Sequence, residues 1–245
     1  MSAKKSEQCP RCGGRGWRPV TDEAGRVRFR MCECRLRSRR RDLLAESAIP
    51  PRYAHCTFER YDGPYSPTQR RALETCRRFV DEFPHCDAGL LLTGNCGVGK
   101  THLAVSALRE IAVEKGHSVL FADSRELIGE IRAGFDDAAG INSYGLVRRV
   151  LGVELLLLDD LGAYHLTSWV RDTFADIITR RFNARRHVII TTNYPDQRST
   201  YQKETLADRI GERLRSRLYE LCRHVHIGGT DDFRQKVFHA GHEPE

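Results

Sequence analysis

Nowhere does this sequence hold a run of about eighteen apolar residues, the length a membrane-spanning helix needs. Its first residues, Met1-Ser2-Ala3-Lys4-Lys5-Ser6-Glu7, also lack the apolar stretch of a secretory signal. Both absences point to a cytoplasmic protein with no membrane partner. Lysine is scarce, six against 34 arginines, a bias that hints at a GC-rich coding sequence. Nine cysteines in a cytosolic chain of 245 residues argue for metal or free thiols over a disulfide framework. The length has room for one ordinary domain plus a small appendage, and 40% hydrophobic content supports a core. The formal charge of +7 favours an anionic partner, although only the placement of the charges can identify one.

Gly94-Asn95-Cys96-Gly97-Val98-Gly99-Lys100-Thr101 follows the apolar run Leu90-Leu91-Leu92 and opens a helical pattern. The eight residues match G-x-x-x-x-G-K-[ST]. Glycines let the backbone curl until successive N–H groups face phosphate oxygens, Lys100 can reach the β- and γ-phosphates, and the Thr101 hydroxyl can ligate Mg2+. The following helix aims its N-terminal dipole at the same anion. An incidental glycine turn is the competing reading, and Cys96 reads as a tolerated variable position.

Four cysteines fall in two tight pairs. Cys9-Pro10-Arg11-Cys12, followed by Gly13-Gly14, is a zinc-knuckle turn, and Cys32-Glu33-Cys34 is the second pair. Between them Trp17, Val20, Val27 and Phe29 flank a turn at Asp22-Glu23-Ala24-Gly25, the pattern of a short hairpin with one pair at each end. Four thiolates complete a tetrahedral zinc site, although C-x-C is tighter than the usual spacing, and reduced cysteines or an iron–sulfur cluster stay open. So small a segment needs metal to fold. The run Arg35–Arg41 that follows is either a solvated helix face or a phosphate-tracking patch. Ala48-Ile49-Pro50-Pro51 and Gly63-Pro64-Tyr65-Ser66-Pro67 then frame a linker, and a helix pattern runs from Thr68 to Phe83. The expected division is 1–45 cysteine-rich zinc-binding module and basic segment, 46–67 linker, 68–235 nucleotide-binding domain and 236–245 tail.

Further along, Leu155-Leu156-Leu157-Leu158-Asp159-Asp160 reads as a strand buried on both faces of a parallel sheet, with carboxylates at the end where such sheets bind ligands. Asp159 would hold Mg2+ through water and Asp160 would polarise an attacking water. Capping of the next helix is the alternative. His187-Val188-Ile189-Ile190-Thr191-Thr192-Asn193 is another buried strand, ending in an amide that can hydrogen-bond a γ-phosphate and a lytic water, or can be a plain turn residue before Tyr194-Pro195. In 206–218, Arg209, Arg213 and Arg217 recur every fourth residue as one cationic helix stripe, with Ile210, Leu214, Leu218 and Leu221 as the apolar one. Such a stripe is normally a wet helix face. Late in a P-loop domain it could present Arg217, or Arg213, to a γ-phosphate held by a neighbouring subunit, Arg209 being the weakest of the three candidates.

These elements, in this order, resemble the Walker A, Walker B, sensor 1 and arginine-finger boxes of AAA+ ATPases, specifically the DnaC/DnaI helicase loaders and the related IstB transposition ATPases. The double-Asp Walker B is similar to that of the initiator branch that includes DnaA. The resemblance covers about residues 48 to 235, and Cys9–Cys34 is similar to the cysteine-rich N-terminus of some DnaC-like proteins. It implies an α/β fold, a parallel five-stranded sheet flanked by helices with no full C-terminal lid, and an ATPase using ATP, Mg2+ and Zn2+. It also implies self-assembly into an ATP-dependent oligomer, a hexameric replicative helicase as partner and single-stranded DNA as ligand, with a transposition helper acting on duplex DNA as the alternative. The segment Ser124–Leu151 carries Arg125, Arg132, Phe135, Tyr144, Arg148 and Arg149. By resemblance these are candidates for single-strand contact, against an ordinary surface helix pair. A small-molecule P-loop kinase and a zinc-dependent DNA-binding adaptor are the readings from other classes.

Overall fold

The computed structural model describes residues 9–61, 66–136, 141–164, 166–198 and 204–229. Its centre is a parallel five-stranded sheet in the order β4-β5-β6-β3-β7, built from β3 (Gly89–Gly94), β4 (Val119–Asp123), β5 (Leu155–Asp159), β6 (His187–Thr192) and β7 (Cys222–Ile227). The strands are short apolar runs with both faces covered, as parallel strands must be. Alternation assigns each face: Leu90, Leu92, Leu155 and Leu157 enter one core, while Leu91, Leu156, Leu158 and Ile190 enter the other.

On the first face lie α2 (Pro67–Glu82) and α3 (Lys100–Glu110), the latter continuing as a π-helical turn over Ile111–Lys115. A capping box at Ser66 and Gln69 starts α2, where Ser66 Oγ accepts from the Gln69 N–H and Gln69 Oε1 accepts from the Ser66 N–H. The second face is covered by α4 (Ser124–Asp136), α5 (Ile141–Gly152), α6 (Ser168–Asn183), α7 (Leu206–Ile210) and α8 (Glu212–Leu221). Arg181 is fully buried there, donating to the carbonyls of Val150, Val153, Glu154 and His187. It ties the end of α5 to the starts of β5 and β6, and burial holds its guanidinium down at about 9.

N-terminal to the sheet, β1 (Trp17–Thr21) and β2 (Val27–Met31) form an antiparallel hairpin, followed by α1 (Glu33–Glu46). The second cysteine pair owes its tight spacing to this helix: Cys32 is its N-cap and Cys34 lies in its first turn. Helix α1 meets the body through Arg39 Nη2, which donates to the Gly116 carbonyl, and an Arg40–Glu114 ion pair.

Two expectations are revised. Within the expected linker, residues 46–61 are packed: Ser47, Cys56, Phe58 and Tyr61 are buried, and the Phe121 N–H donates to the Ser47 carbonyl at 2.7 Å. Apolar residues spaced along a proline-rich stretch make a strap over the first core, which periodicity does not reveal. The arginines at 209, 213 and 217 do not share one helix, because Gly211, at φ 84° and ψ 151°, separates α7 from α8. The lid and tail expectations fall on residues beyond 229, outside those described. Among the described residues no helix is long and apolar enough to cross a membrane.

Candidate nucleotide and metal sites

Strand β3 delivers the chain into the glycine loop. Gly94, Gly97 and Gly99 take φ of 151°, 77° and 93°. At Gly99 a Cβ would stand 2.4 Å from Tyr61 Cε2, so the close approach of the strap demands glycine there. Tyr61 also donates its hydroxyl to the Val98 carbonyl at 3.1 Å, and a His102 ring nitrogen meets the Thr57 carbonyl at 2.8 Å. The strap therefore braces the loop from outside, a role its sequence did not signal.

Lys100 is buried, its Nζ donating to the carbonyls of Gly94 at 2.9 Å and Asn95 at 2.7 Å. An ammonium held by two neutral carbonyls inside a ring of backbone is suited to take an anion. Asn95 and Cys96 are exposed at the lip of the loop.

Insertion of β6 between β3 and β5 brings the other predicted residues to the same sheet end. Thr101 Oγ1 donates to Asp159 Oδ1 at 2.9 Å, and Thr191 Oγ1 donates to the same oxygen at 2.6 Å. The Asp160 N–H donates to Thr191 Oγ1 at 2.9 Å, and Asn193 Nδ2 donates to Asp160 Oδ1 at 2.7 Å. Asp160 itself adopts φ 57°, a left-handed conformation that turns the chain off the strand end. One network thus joins Thr101, Asp159, Thr191, Asp160 and Asn193. Burial pushes the Asp159 carboxyl above the ordinary range, the two hydroxyls oppose this, and the charges of Asp160 and Asp123 add to it. A buried carboxylate flanked by a P-loop hydroxyl fits Mg2+, whose charge would relieve that burial.

The arginines diverge. Arg209 is buried within the chain, its Nε donating to the Gly162 carbonyl at 2.8 Å, its Nη1 paired with Glu204 at 3.2 Å and its guanidinium over the Tyr194 ring. Arg213 and Arg217 are exposed on α8, and Arg217 makes a surface pair with Glu220 at 2.7 Å. Gly162 approaches Arg209 and Tyr194 so closely that a Cβ would sit 3.3 Å from each. In the 124–151 segment, Arg125, Arg132, Arg148 and Arg149 are exposed, with Arg132 over the Trp169 ring and Arg149 donating to the Glu46 carbonyl. The side chains of Phe135 and Tyr144 lie outside the described residues.

The four N-terminal sulfurs cluster. Cys9 and Cys32 Sγ are 3.8 Å apart, Cys12 and Cys34 Sγ 3.4 Å, and all four lie within 4.8 Å of one another. A tetrahedron with zinc–sulfur bonds of about 2.3 Å has edges of about 3.8 Å, so the set fits Zn2+. The Gly16 N–H donates to Cys12 Sγ at 3.3 Å and is the main cause lowering that thiol to about 7, while the hydrogen bond shared with Cys12 pushes Cys34 up to about 12.

Residues 32–239 match the family described as IstB-like ATP binding protein. The chain belongs to that family. It is 28% identical over 177 residues to the replicative helicase loader DnaC of Buchnera aphidicola subsp. Schizaphis graminum, covering 71% of this chain and 68% of that protein. A crystal structure of the DnaC helicase loader superposes with a TM-score of 0.64 at 38% identity, covering 73% of this chain and 99% of the other. The crystal structure of DnaI gives a TM-score of 0.61 at 26% identity, covering 74% and 95%. The family is an ATP-binding one and the fold is that of AAA+ ATPases. Cys9 and Cys12 of the sulfur cluster lie N-terminal to the matched region, whereas Cys32, Cys34 and the strap fall within it.

Proposed function

We propose that this IstB/DnaC-family chain is an ATP-hydrolysing loader, in which ATP-bound protomers assemble, engage single-stranded DNA and a hexameric replicative helicase, and separate on hydrolysis. The observation that carries this reading is the continuous network from Asn193 through Asp160, Thr191 and Asp159 to Thr101, with Arg213 and Arg217 exposed on α8. Loop N–H groups of 94–101 and the Lys100 ammonium bind the phosphates, Thr101 and Asp159 hold Mg2+, Asp160 accepts a proton from the attacking water, and Asn193 orients it. Mg2+, when held there, would supply charge neutralisation to the phosphates. Arg217, or else Arg213, reaches the γ-phosphate of an adjacent protomer, so hydrolysis requires assembly. The exposed arginines of α4 and α5 contact the DNA backbone. In this reading residues 1–45 are a zinc-held module, 68–235 form the ATPase domain, and the protein works in the cytoplasm. Homologues named as replicative helicase loaders support the helicase as partner.

The family description supports a second reading, a transposition helper that coats duplex DNA with ATP. Affinity capture on a purified, tagged replicative helicase separates them. Wild-type protein is expected to be retained with ATP, and Lys100→Ala, which loses nucleotide binding, is expected to be lost from the resin. ATP-dependent filaments on duplex DNA without helicase capture would overturn the loader reading.

A further inference from the structure

The hairpin of the cysteine module has two different faces, and among the described residues both are largely exposed. Its register places Trp17 opposite Met31, Pro19 opposite Phe29 and Thr21 opposite Val27, while Arg18 faces Arg30 and Val20 faces Arg28. Side chains alternate across a strand, so the first three pairs share one face and the other two share the opposite one. One face is thus apolar and aromatic and the other carries three arginines. The hairpin is a two-stranded sheet on its own, and Trp17, Val27 and Phe29 are 41%, 62% and 70% exposed. Aromatic rings so open to water, on a module with almost no core of its own, are the kind of surface that ordinarily has a ligand.

Charge identifies the ligand. Residues 1–46 contain 13 Lys and Arg against 6 Asp and Glu, an excess of seven, whereas the remaining residues balance at 27 against 27. The formal +7 of the whole chain therefore resides in this segment. Zinc on four thiolates would return two negative charges and still leave an excess of about five. Arg35 adds a cation 4.9 Å from the Trp17 ring centroid, and Arg28 is held by Asp22 at 3.1 Å on the opposite face. Trp17 and Phe29 are diagonal neighbours on their face, about 7–8 Å apart at the backbone, a spacing that two successive bases of an extended strand can match. Flat rings beside a cationic side chain, as Trp17 is beside Arg35, are the means by which proteins hold unpaired bases and their phosphates without reading sequence. A duplex buries its base faces in the stack and cannot use the rings.

We infer that the apolar face of the β1–β2 hairpin is a single-stranded nucleic acid binding surface, with Trp17 and Phe29 as base platforms and Arg35, beside Trp17, on a phosphate. The surface is separate from the α4–α5 arginines of the ATPase body, and its operation needs no nucleotide. It would let the module grip a strand before or after the body does.

The test uses the zinc-loaded 245-residue chain without nucleotide and fluorescein-labelled oligo(dT). The chain has two tryptophans, so Trp169→Phe leaves Trp17 as the sole reporter. Oligo(dT) is expected to quench that fluorescence. The Trp17→Ala/Phe29→Ala protein is expected to bind at least tenfold more weakly while retaining its zinc and its ATP binding, and Lys100→Ala is expected to bind oligo(dT) like wild type. Arg35→Ala should flatten the salt dependence by about 0.7 in log–log slope, the value of one phosphate contact on a single strand. Absence of quenching would overturn the assignment, as would equal competition by duplex. So would a result in which the ring variants lose capture by a purified replicative helicase but keep oligo(dT), which would make the face a protein-docking surface. Loss of oligo(dT) binding in Lys100→Ala alone would also overturn it, by moving the strand onto the ATPase body.

Discussion

A single hydroxyl, that of Thr191, touches both halves of the acidic pair: it donates to the Asp159 carboxylate and accepts from the Asp160 N–H. Valine has nearly the same shape and strand preference, so Thr191→Val keeps the strand while removing this bridge and leaving the Asp160 N–H without its acceptor. The expected result is ATP binding within about threefold of wild type and hydrolysis reduced about tenfold, equivalent to about 1.4 kcal/mol of barrier. Nucleotide titration and steady-state turnover read the two effects separately, and unchanged turnover would reduce the hydroxyl to packing. Most of the site was legible in the sequence at this scale, because G-x-x-x-x-G-K-[ST] and a strand ending in acids each carry their own spacing. Thr191 was not legible, since a threonine inside an apolar run is also an ordinary strand residue. Tyr61 was hidden for a related reason: its partner, Gly99, lies far away in sequence, and no local pattern predicts that approach.

Among the elements, α8 has the most consequence for the proposed trans arrangement, and a clamp sets its position. Arg215 pairs with Asp196 from the segment after β6 through Nε on Oδ1 and Nη2 on Oδ2, the latter at 2.6 Å. Hydrogen bonding from Arg215, and then its charge, holds the Asp196 carboxyl below the usual aspartate range. A depressed acid stabilises the fold fully above its unfolded pKa of about 3.9, and that contribution is lost as pH falls through the lower folded value. Asp196→Asn should therefore lower stability by about 1 kcal/mol at neutral pH. The gap between the two proteins should close at strongly acid pH. Urea midpoints for both at each pH check it, and a gap of constant size would mean that packing rather than charge is responsible. The every-fourth-residue recurrence of arginine correctly selected the buried stripe Ile210, Leu214, Leu218 and Leu221, all of which are buried. It overextended the helix because a glycine inside an amphipathic pattern signals a break only when its φ is known, and Gly211 lies at 84°.

For the whole molecule, a composite site makes a prediction that no single protomer can satisfy. Asp160→Asn protein lacks the acid but keeps its α8 arginines, and Arg217→Ala protein lacks the finger but keeps its acid. Each alone is expected to bind ATP and hydrolyse it poorly, whereas an equimolar mixture should recover about a quarter to a half of wild-type turnover, because a fraction of the interfaces pairs two intact halves. ATPase assays of the mixture decide it, and no recovery would place the finger elsewhere or in cis. The sequence by itself determined the phosphate loop, the acid-ended strand, the amide-ended strand, the paired cysteines and the two-sided burial of the sheet. Each is a property of neighbouring residues and of the 2-residue or 3.6-residue repeat of local structure. Only the tertiary structure decided that β6 lies between β3 and β5, so that Asn193 meets Asp160, and that the strap 46–61 braces the P-loop. It also decided that Arg209 is buried while Arg213 and Arg217 face solvent. Those outcomes depend on which surfaces meet across tens of residues. Burial of apolar area selects such meetings for the chain as a whole, and no local window contains that sum.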